Sequence, residues 1–175
     1  AKVHVSYPAD FMLAATMNPC PCGYYGDSKK ECECTSTQIN TYQKKLSGPL
    51  MDRIDLVVNV SRVPNESLLS TSTLINSQHL TALEAIKNAN IAQTVRYNSG
   101  IVYNSSLNNR EIYEHIKLSD EAKNLLVKAT DKLGLTARSY FKIVKVARTI
   151  ADLANESDIN IEHISEALRY RKQRS

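Results

Sequence analysis

Beyond residue 77 the chain is helical in pattern throughout, with apolar residues at helical spacing and no internal repeat. Residues 78–97 place Leu80, Leu83, Ile86, Ala89 and Ala92 near one face of a helix of about five turns, and Asn98-Ser99-Gly100 ends it. A short helix follows around residues 112–116. Ser119 then suits the cap of a helix carrying Ala122, Leu125, Leu126 and Ala129 up to Gly134. Thr136 opens a long helix whose inward positions are Tyr140, Ile143, Val144, Ala147, Ile150, Ala151 and Ala154. Asn160 precedes a last one with Ile161, Ile164, Ala167 and Leu168 inward. Helices joined by short turns pack as a bundle, so the spacing predicts a mainly α fold with residues 78–175 as its helical domain.

The first sixty residues read differently. FMLAAT, residues 11–16, is a short apolar run ending at Asn18-Pro19, which predicts a buried strand that stops in a turn. Residues 35–46 have a helical pattern with Thr35 or Ser36 as cap and Gly48 beyond its end. Pro49 suits the first turn of a short helix through Leu50, Met51 and Ile54. DLVVNV, residues 55–60, has the β-branched content of a second strand. Residues 61–77 are rich in Ser, Thr and Asn around Pro64 and read as a linker. The expected organisation is therefore 1–60, a linker over 61–77, and helices over 78–175.

All four cysteines fall in CPCGYYGDSKKECEC, residues 20–34. Cys20, Cys22, Cys32 and Cys34 can meet one tetrahedral zinc ion, which would order a loop too polar to build its own core. Gly23 and Gly26 relieve the tight backbone, and Pro19 and Pro21 stiffen the first pair. Two disulfides are a second reading, although nothing in the sequence points to an oxidising compartment. Four free thiols in a mobile loop are the third. A catalytic thiol is disfavoured, because no Cys/His pair suggests itself. The net charge of +4 permits an anionic partner such as nucleotide or nucleic acid without demanding one. No apolar run reaches the ~20 residues of a membrane span and no secretory signal opens the sequence, so a cytoplasmic location is expected.

Two arginines stand out by position. Arg53, in SGPLMDRID, lies between Asp52 and Asp55, and the plain expectation is a surface ion pair with one of them. Arg138 lies in the first turn of its helix, where the dipole disfavours a cation unless an anion such as phosphate binds there. Lys142 and Lys145 continue that face as a basic stripe, which is expected to be solvated rather than to contact phosphates.

Taken together, FMLAATMNPCPCGYYGD, the second Cys-x-Cys pair, QINTYQKKLSGPLMDRID, LGLTARSYFKIVKVARTIADL and HISEALRYR resemble, in this order, the C-terminal part of the magnesium-chelatase-like AAA+ ATPases, nearest the ComM/YifB competence branch. The match runs from about Tyr7 to Arg171 and is weakest in the linker and the helix after it. The resemblance implies a helical lid preceded by an incomplete α/β remnant of the AAA+ core. It implies that Asn18 is a sensor-1 residue orienting the attacking water. Arg53 becomes an arginine finger inserted into a neighbouring subunit's ATP site, and Arg138 the sensor-2 arginine reaching the nucleotide. The four cysteines match a zinc-like cluster between sensor 1 and the finger helix.

A GxxxxGK[ST] phosphate loop is absent from these 175 residues, as is an acidic strand end to hold Mg²⁺. The chain is accordingly expected to be a fragment starting after both Walker motifs, inactive alone, with ATP and Mg²⁺ belonging to its parent. Exposed strand edges in the first sixty residues are expected to leave that part poorly ordered, swapped or self-paired. The parent is expected to be a ring of identical subunits acting on DNA by branch migration in natural transformation. The alternative is a chelatase-type or chaperone-like ATPase that remodels protein without touching DNA. A standalone zinc-binding interaction module is the third possibility.

Overall fold

The computed structural model describes residues 5, 7, 11–61, 63, 73–98 and 102–171. Most of the expected linker, and the Ser99-Gly100 stop, lie outside the described residues. The chain divides into two compact units, Ala1–Leu46 and Ser47–Ser175. Among the described residues no helix is long and apolar enough to cross a membrane.

In the first unit, Thr35 caps α1 (Ser36–Gln43). Its hydroxyl accepts the Gln38 N–H at 3.3 Å, while the Gln38 side chain accepts the Thr35 N–H at 2.9 Å. This reciprocal box satisfies two of the donors that a helix start leaves over. The expected strand over 11–16 does not form, nor does any strand among the described residues: Phe11, Met12 and Leu13 are exposed. A strand is held by its ladder, and no second strand here offers one. Cys20 is the unit's one buried residue among those described.

The second unit carries the core. Ser47 caps a single turn, α2 (Gly48–Met51), with Pro49 in its first turn. Gly48 thus begins a helix rather than ending one. The segment 55–60 is not a strand either; among the described residues its one backbone tie is the Val57 N–H to the Tyr170 carbonyl at 2.7 Å. Then come α3 (Thr73–Tyr97), a 3-10 turn (Asn104–Ser106), α4 (Asn109–His115), α5 (Asp120–Leu133), α6 (Ala137–Leu153) and α7 (Ile161–Arg169). Residues 73–77, expected in the linker, are helical.

The predicted caps are in place: Ser119 for α5, Thr136 for α6 and Asn160 for α7, each accepting backbone N–H groups of the first turn. Gly134 ends α5 with φ +57, a left-handed conformation that glycine adopts without strain. Ile143, Val144, Ala147 and Ala151 of α6 pack against Ala122 and Leu126 of α5, Ile164 and Ala167 of α7, and Ile112 and Ile116 around α4. The starts of α5 and α7 are tied by a parallel bridge between Leu118 and Ile159.

The apolar face expected for α3 is covered only toward its C-terminal end, where Ala89 is buried and Ala92 half-buried. Leu80, Leu83 and Ile86 are exposed, and the buried positions are Ala89 and Gln93. Among the described residues the long helix meets the bundle through its C-terminal half, where α6 and the 3-10 turn supply partners. There a polar network is buried. Asp152 takes both terminal nitrogens of Arg96, accepts Arg148 Nε at 3.2 Å and Asn104 Nδ2 at 2.8 Å. Asn104 in turn accepts the Tyr97 hydroxyl at 2.5 Å and donates its own N–H to Gln93 at 2.9 Å.

Candidate functional site

Two places in the chain have the geometry of a site, one in each unit. In the first, Cys20 to Gly23 close a turn through Gly23 N–H to the Cys20 carbonyl at 3.1 Å, and Tyr24 to Asp27 close another at 3.0 Å. Gly23 and Gly26 hold φ +85 and +84 in these turns. The paired turns fold the Cys20 and Cys22 side chains towards Cys32 and Cys34. Sulfur separations are 3.3 Å for Cys20–Cys22, 3.5 Å for Cys22–Cys32 and 3.7 Å for Cys20–Cys32, and all four sulfurs lie within 4.8 Å of one another. Four thiolates at about 2.3 Å from a tetrahedral ion would stand about 3.8 Å apart. None of the four is bonded to another. The arrangement is that of a metal cage, and these residues can hold an ion.

Backbone donors already point at the sulfurs: Tyr25 N–H to Cys20 at 3.3 Å and Cys22 N–H to Cys34 at 3.4 Å. The Tyr24 backbone N–H, aided by Cys20 and Cys34, lowers the Cys22 thiol to about 6. Despite a favouring N–H from Cys34, desolvation and the neighbouring Cys22 and Cys20 sulfurs push Cys32 up to about 12. Cys34 is raised in the same way, against an N–H from Cys22. One negative charge is therefore readily accommodated and further ones are resisted, and a cation bound among the sulfurs would relieve that resistance. Asn18 stands beside this cage, exposed, with its Nδ2 3.7 Å from where a Cβ on Gly23 would be.

In the helical unit, Arg53 and Arg138 are both exposed. The ion pair expected for Arg53 does not form. Its Nη1 donates instead to the Pro49 carbonyl at 2.8 Å, folding the side chain back on α2. Both aspartates have other partners. Asp55 pairs with Lys142 at 2.8 Å, and Lys142 also donates to the Arg53 carbonyl. Asp52 accepts the Ser139 hydroxyl, the Thr136 hydroxyl at 3.1 Å and Arg171 Nη2 at 3.3 Å. The turn that bears Arg53 is thus fastened to the start of α6, the helix whose first turn bears Arg138. Among the described residues Arg138 itself has no hydrogen bond or ion pair, so its charge is available.

The basic stripe is not a solvated face. Lys142 is engaged as described, and Lys145 donates to the Ser105 carbonyl at 2.9 Å while burial lowers its pKa. Sequence reasoning missed Asp52, Ser139 and Arg171 as a group. A usable signal was Thr136-x-x-Ser139 at the start of α6, with two hydroxyls able to share an outside acceptor.

Asp52 gives a pH prediction. The Ser139 hydroxyl, then Thr136 and Arg171, hold its carboxyl below the usual carboxylate range. A folded-state value below the unfolded one means stability that is present above the unfolded pKa and lost as pH falls through the folded pKa. Asp52→Asn is expected to lower stability by about 1 kcal/mol at neutral pH. The difference should vanish below both pKa values of Asp52, as read from urea midpoints across acidic pH. A difference that stays constant with pH would assign the effect to packing.

Residues 1–68 match the family profile described as magnesium chelatase, subunit ChlI, and residues 76–171 that of the magnesium chelatase subunit ChlI C-terminal region. The chain is 37% identical over 171 residues to the competence protein ComM of Haemophilus influenzae, covering 98% of this chain and 32% of that protein. It is 34% identical over 170 residues to YifB of Escherichia coli, covering 97% of this chain and 32% of the relative. With YifB of Salmonella typhimurium the identity is 33% over 170 residues, with the same coverage of 97% and 32%. The chain spans about a third of the length of these relatives.

Proposed function

The chain belongs to the magnesium chelatase subunit ChlI family, and on that premise we propose that it is the sensor-and-lid part of a longer, ring-forming AAA+ ATPase. Arg138 carries the proposal: a cation in the first turn of α6, exposed and without a partner among the described residues. A guanidinium beside the free N–H groups of a helix start is stable when a phosphate joins it. Arg138 therefore serves as sensor 2, reaching the nucleotide from the helical domain. Arg53, on a turn braced by Asp52 and Lys142, is the finger offered to a neighbouring subunit. Asn18 orients the attacking water as sensor 1. Phosphoryl transfer needs such positioned donors more than covalent chemistry.

ATP and Mg²⁺ are held by phosphate-loop and acidic residues that these 175 residues do not include. The four cysteines hold a zinc ion, which supplies a structural cross-link. By its likeness to a competence protein, the parent acts on DNA, as a branch-migration motor in natural transformation. A chelatase-type ATPase that remodels protein is the other reading, favoured by the family description.

In a protein of the relatives' length that contains this chain, Arg138→Ala is expected to weaken ATP binding at least tenfold, measured by fluorescent-nucleotide titration. Unchanged affinity would remove Arg138 from the nucleotide. DNA binding with a steep decline in log K against log[salt] supports the DNA motor, whereas no salt-dependent DNA binding supports the protein remodeller.

A further inference from the structure

The cysteine cage does more than close a loop, because it is built into the segment that bears Asn18. Asn18 and Pro19 lead directly into Cys20, and the Asn18 amide lies over Gly23, the last residue of the first cysteine turn. On the far side, Cys34 leads directly into Thr35, the cap of α1. From the end of α1, Gln43 Nε2 reaches back to the Pro19 carbonyl at 3.1 Å. The circuit runs Asn18-Pro19, cage, α1, Gln43 and back to Pro19. Within this unit the described residues form no apolar core: Cys20 alone is buried, while the hydrophobic run over 11–13 is exposed. Among the described residues the circuit is held by local turns, the capping box and the single Gln43–Pro19 bond, and only the sulfurs join its two cysteine-bearing ends side chain to side chain.

We propose that one soft divalent cation of the zinc class, bound by Cys20, Cys22, Cys32 and Cys34, is what holds Asn18 and the Pro19–Gln43 contact in place. The ion is thus the mount of the sensor-1 residue, and its occupancy switches that residue between a fixed and a freely rotating state. The inference rests on the zinc reading and on the sensor-1 role given above, but its test does not require hydrolysis.

The 175-residue chain is reduced, stripped of metal with a chelator, and titrated first with Co²⁺ and then, in separate samples, with Zn²⁺. Tetrahedral cobalt–thiolate absorption saturating at about one equivalent reports the cage. Side-chain amide signals of Asn18 and Gln43, assigned by their loss in Asn18→Ala and Gln43→Ala, report the mount. With Zn²⁺ both pairs are expected to move from coil-averaged to dispersed positions, saturating at the same equivalent and reverting on chelation. In Cys34→Ser the apparent metal affinity should fall at least tenfold, and the amide shifts should follow metal occupancy. Stoichiometric metal binding with both amide pairs unmoved overturns the mount while leaving the zinc reading intact. Failure of Co²⁺ and Zn²⁺ to bind overturns the zinc reading and the mount with it. Neither result bears on Arg53 or Arg138.

Discussion

Asp152→Ala is expected to destabilise the helical unit by about 3–5 kcal/mol, enough to unfold many domains of this size at physiological temperature. The side chains of Arg148 and Asp152 are 1% and 0% exposed, so neither charge can turn to water when its partner is removed. Arg148 spends its other donors on the carbonyls of Ser157, at 2.6 Å, and of Glu156. It would be left as a buried cation with neutral acceptors only. Arg96 and Asn104 would lose their common acceptor at the same time, and with them the docking of α3 on α6. The loss should be read as a lower urea midpoint at unchanged slope, with reduced helical signal near physiological temperature. A loss below about 1 kcal/mol would mean that the network is hydrated and behaves as a surface pair. Arg148→Met combined with Asp152→Leu should recover part of the loss, because removing both charges of a buried pair is tolerated better than removing one.

The second large effect concerns turnover. In a protein of the relatives' length, Arg53→Ala is expected to reduce ATP hydrolysis by about 10³-fold or more while ATP binding changes little. A finger acts on the charge of the transition state in another subunit's site, so it contributes to kcat and hardly to ground-state affinity. Mixing Arg53→Ala subunits into wild-type rings should therefore lower activity steeply, since each variant silences its neighbour. Normal turnover by Arg53→Ala would sink the finger assignment. Asp52→Asn should lie between the two, because it loosens the brace of the Arg53 turn on α6 without removing the guanidinium.

Capping chemistry was the most legible part of this fold. Thr35, Ser119, Thr136 and Asn160 each cap a helix, because a short polar side chain beside an apolar stripe acts over four residues and needs no distant partner. Strands were illegible for the opposite reason. Residues 11–16 and 55–60 have strand composition, yet a strand exists only where another chain segment completes its ladder. The face of α3 was right at Ala89 and Ala92 and wrong nearer the N-terminus, because apolar residues cover so much of its circumference. Ile91 and Val95 are exposed along with Leu80, Leu83 and Ile86, and periodicity could not say which arc the bundle would meet. Arg148 and Asp152 stand four apart, the spacing of an ordinary surface pair, so their burial was invisible until α3 and the 3-10 turn closed over them. At the candidate sites, Cys20, Cys22, Cys32 and Cys34 announced themselves by spacing. The Asp52 brace depends on two segments 84 or more residues apart, and no local pattern encodes it.

The small bridge at the starts of α5 and α7 bears on how the helical unit forms. Ser119 N–H donates to the Ile159 carbonyl at 2.9 Å, and Ile159 N–H to the Lys117 carbonyl at 3.0 Å. These two bonds close a ring of about 40 residues containing α5 and α6, and ring closure over such a length adds only slowly to the entropy of closing a short one. Once closed, α6 is confined between two fixed ends and finds its partners by local search, which favours fast folding. The ring of α5 and α6 is expected to form before α3 docks on it. In native-state hydrogen exchange the Ser119 and Ile159 amides should be released only by global unfolding, while the amides of the first half of α3 exchange through local fraying.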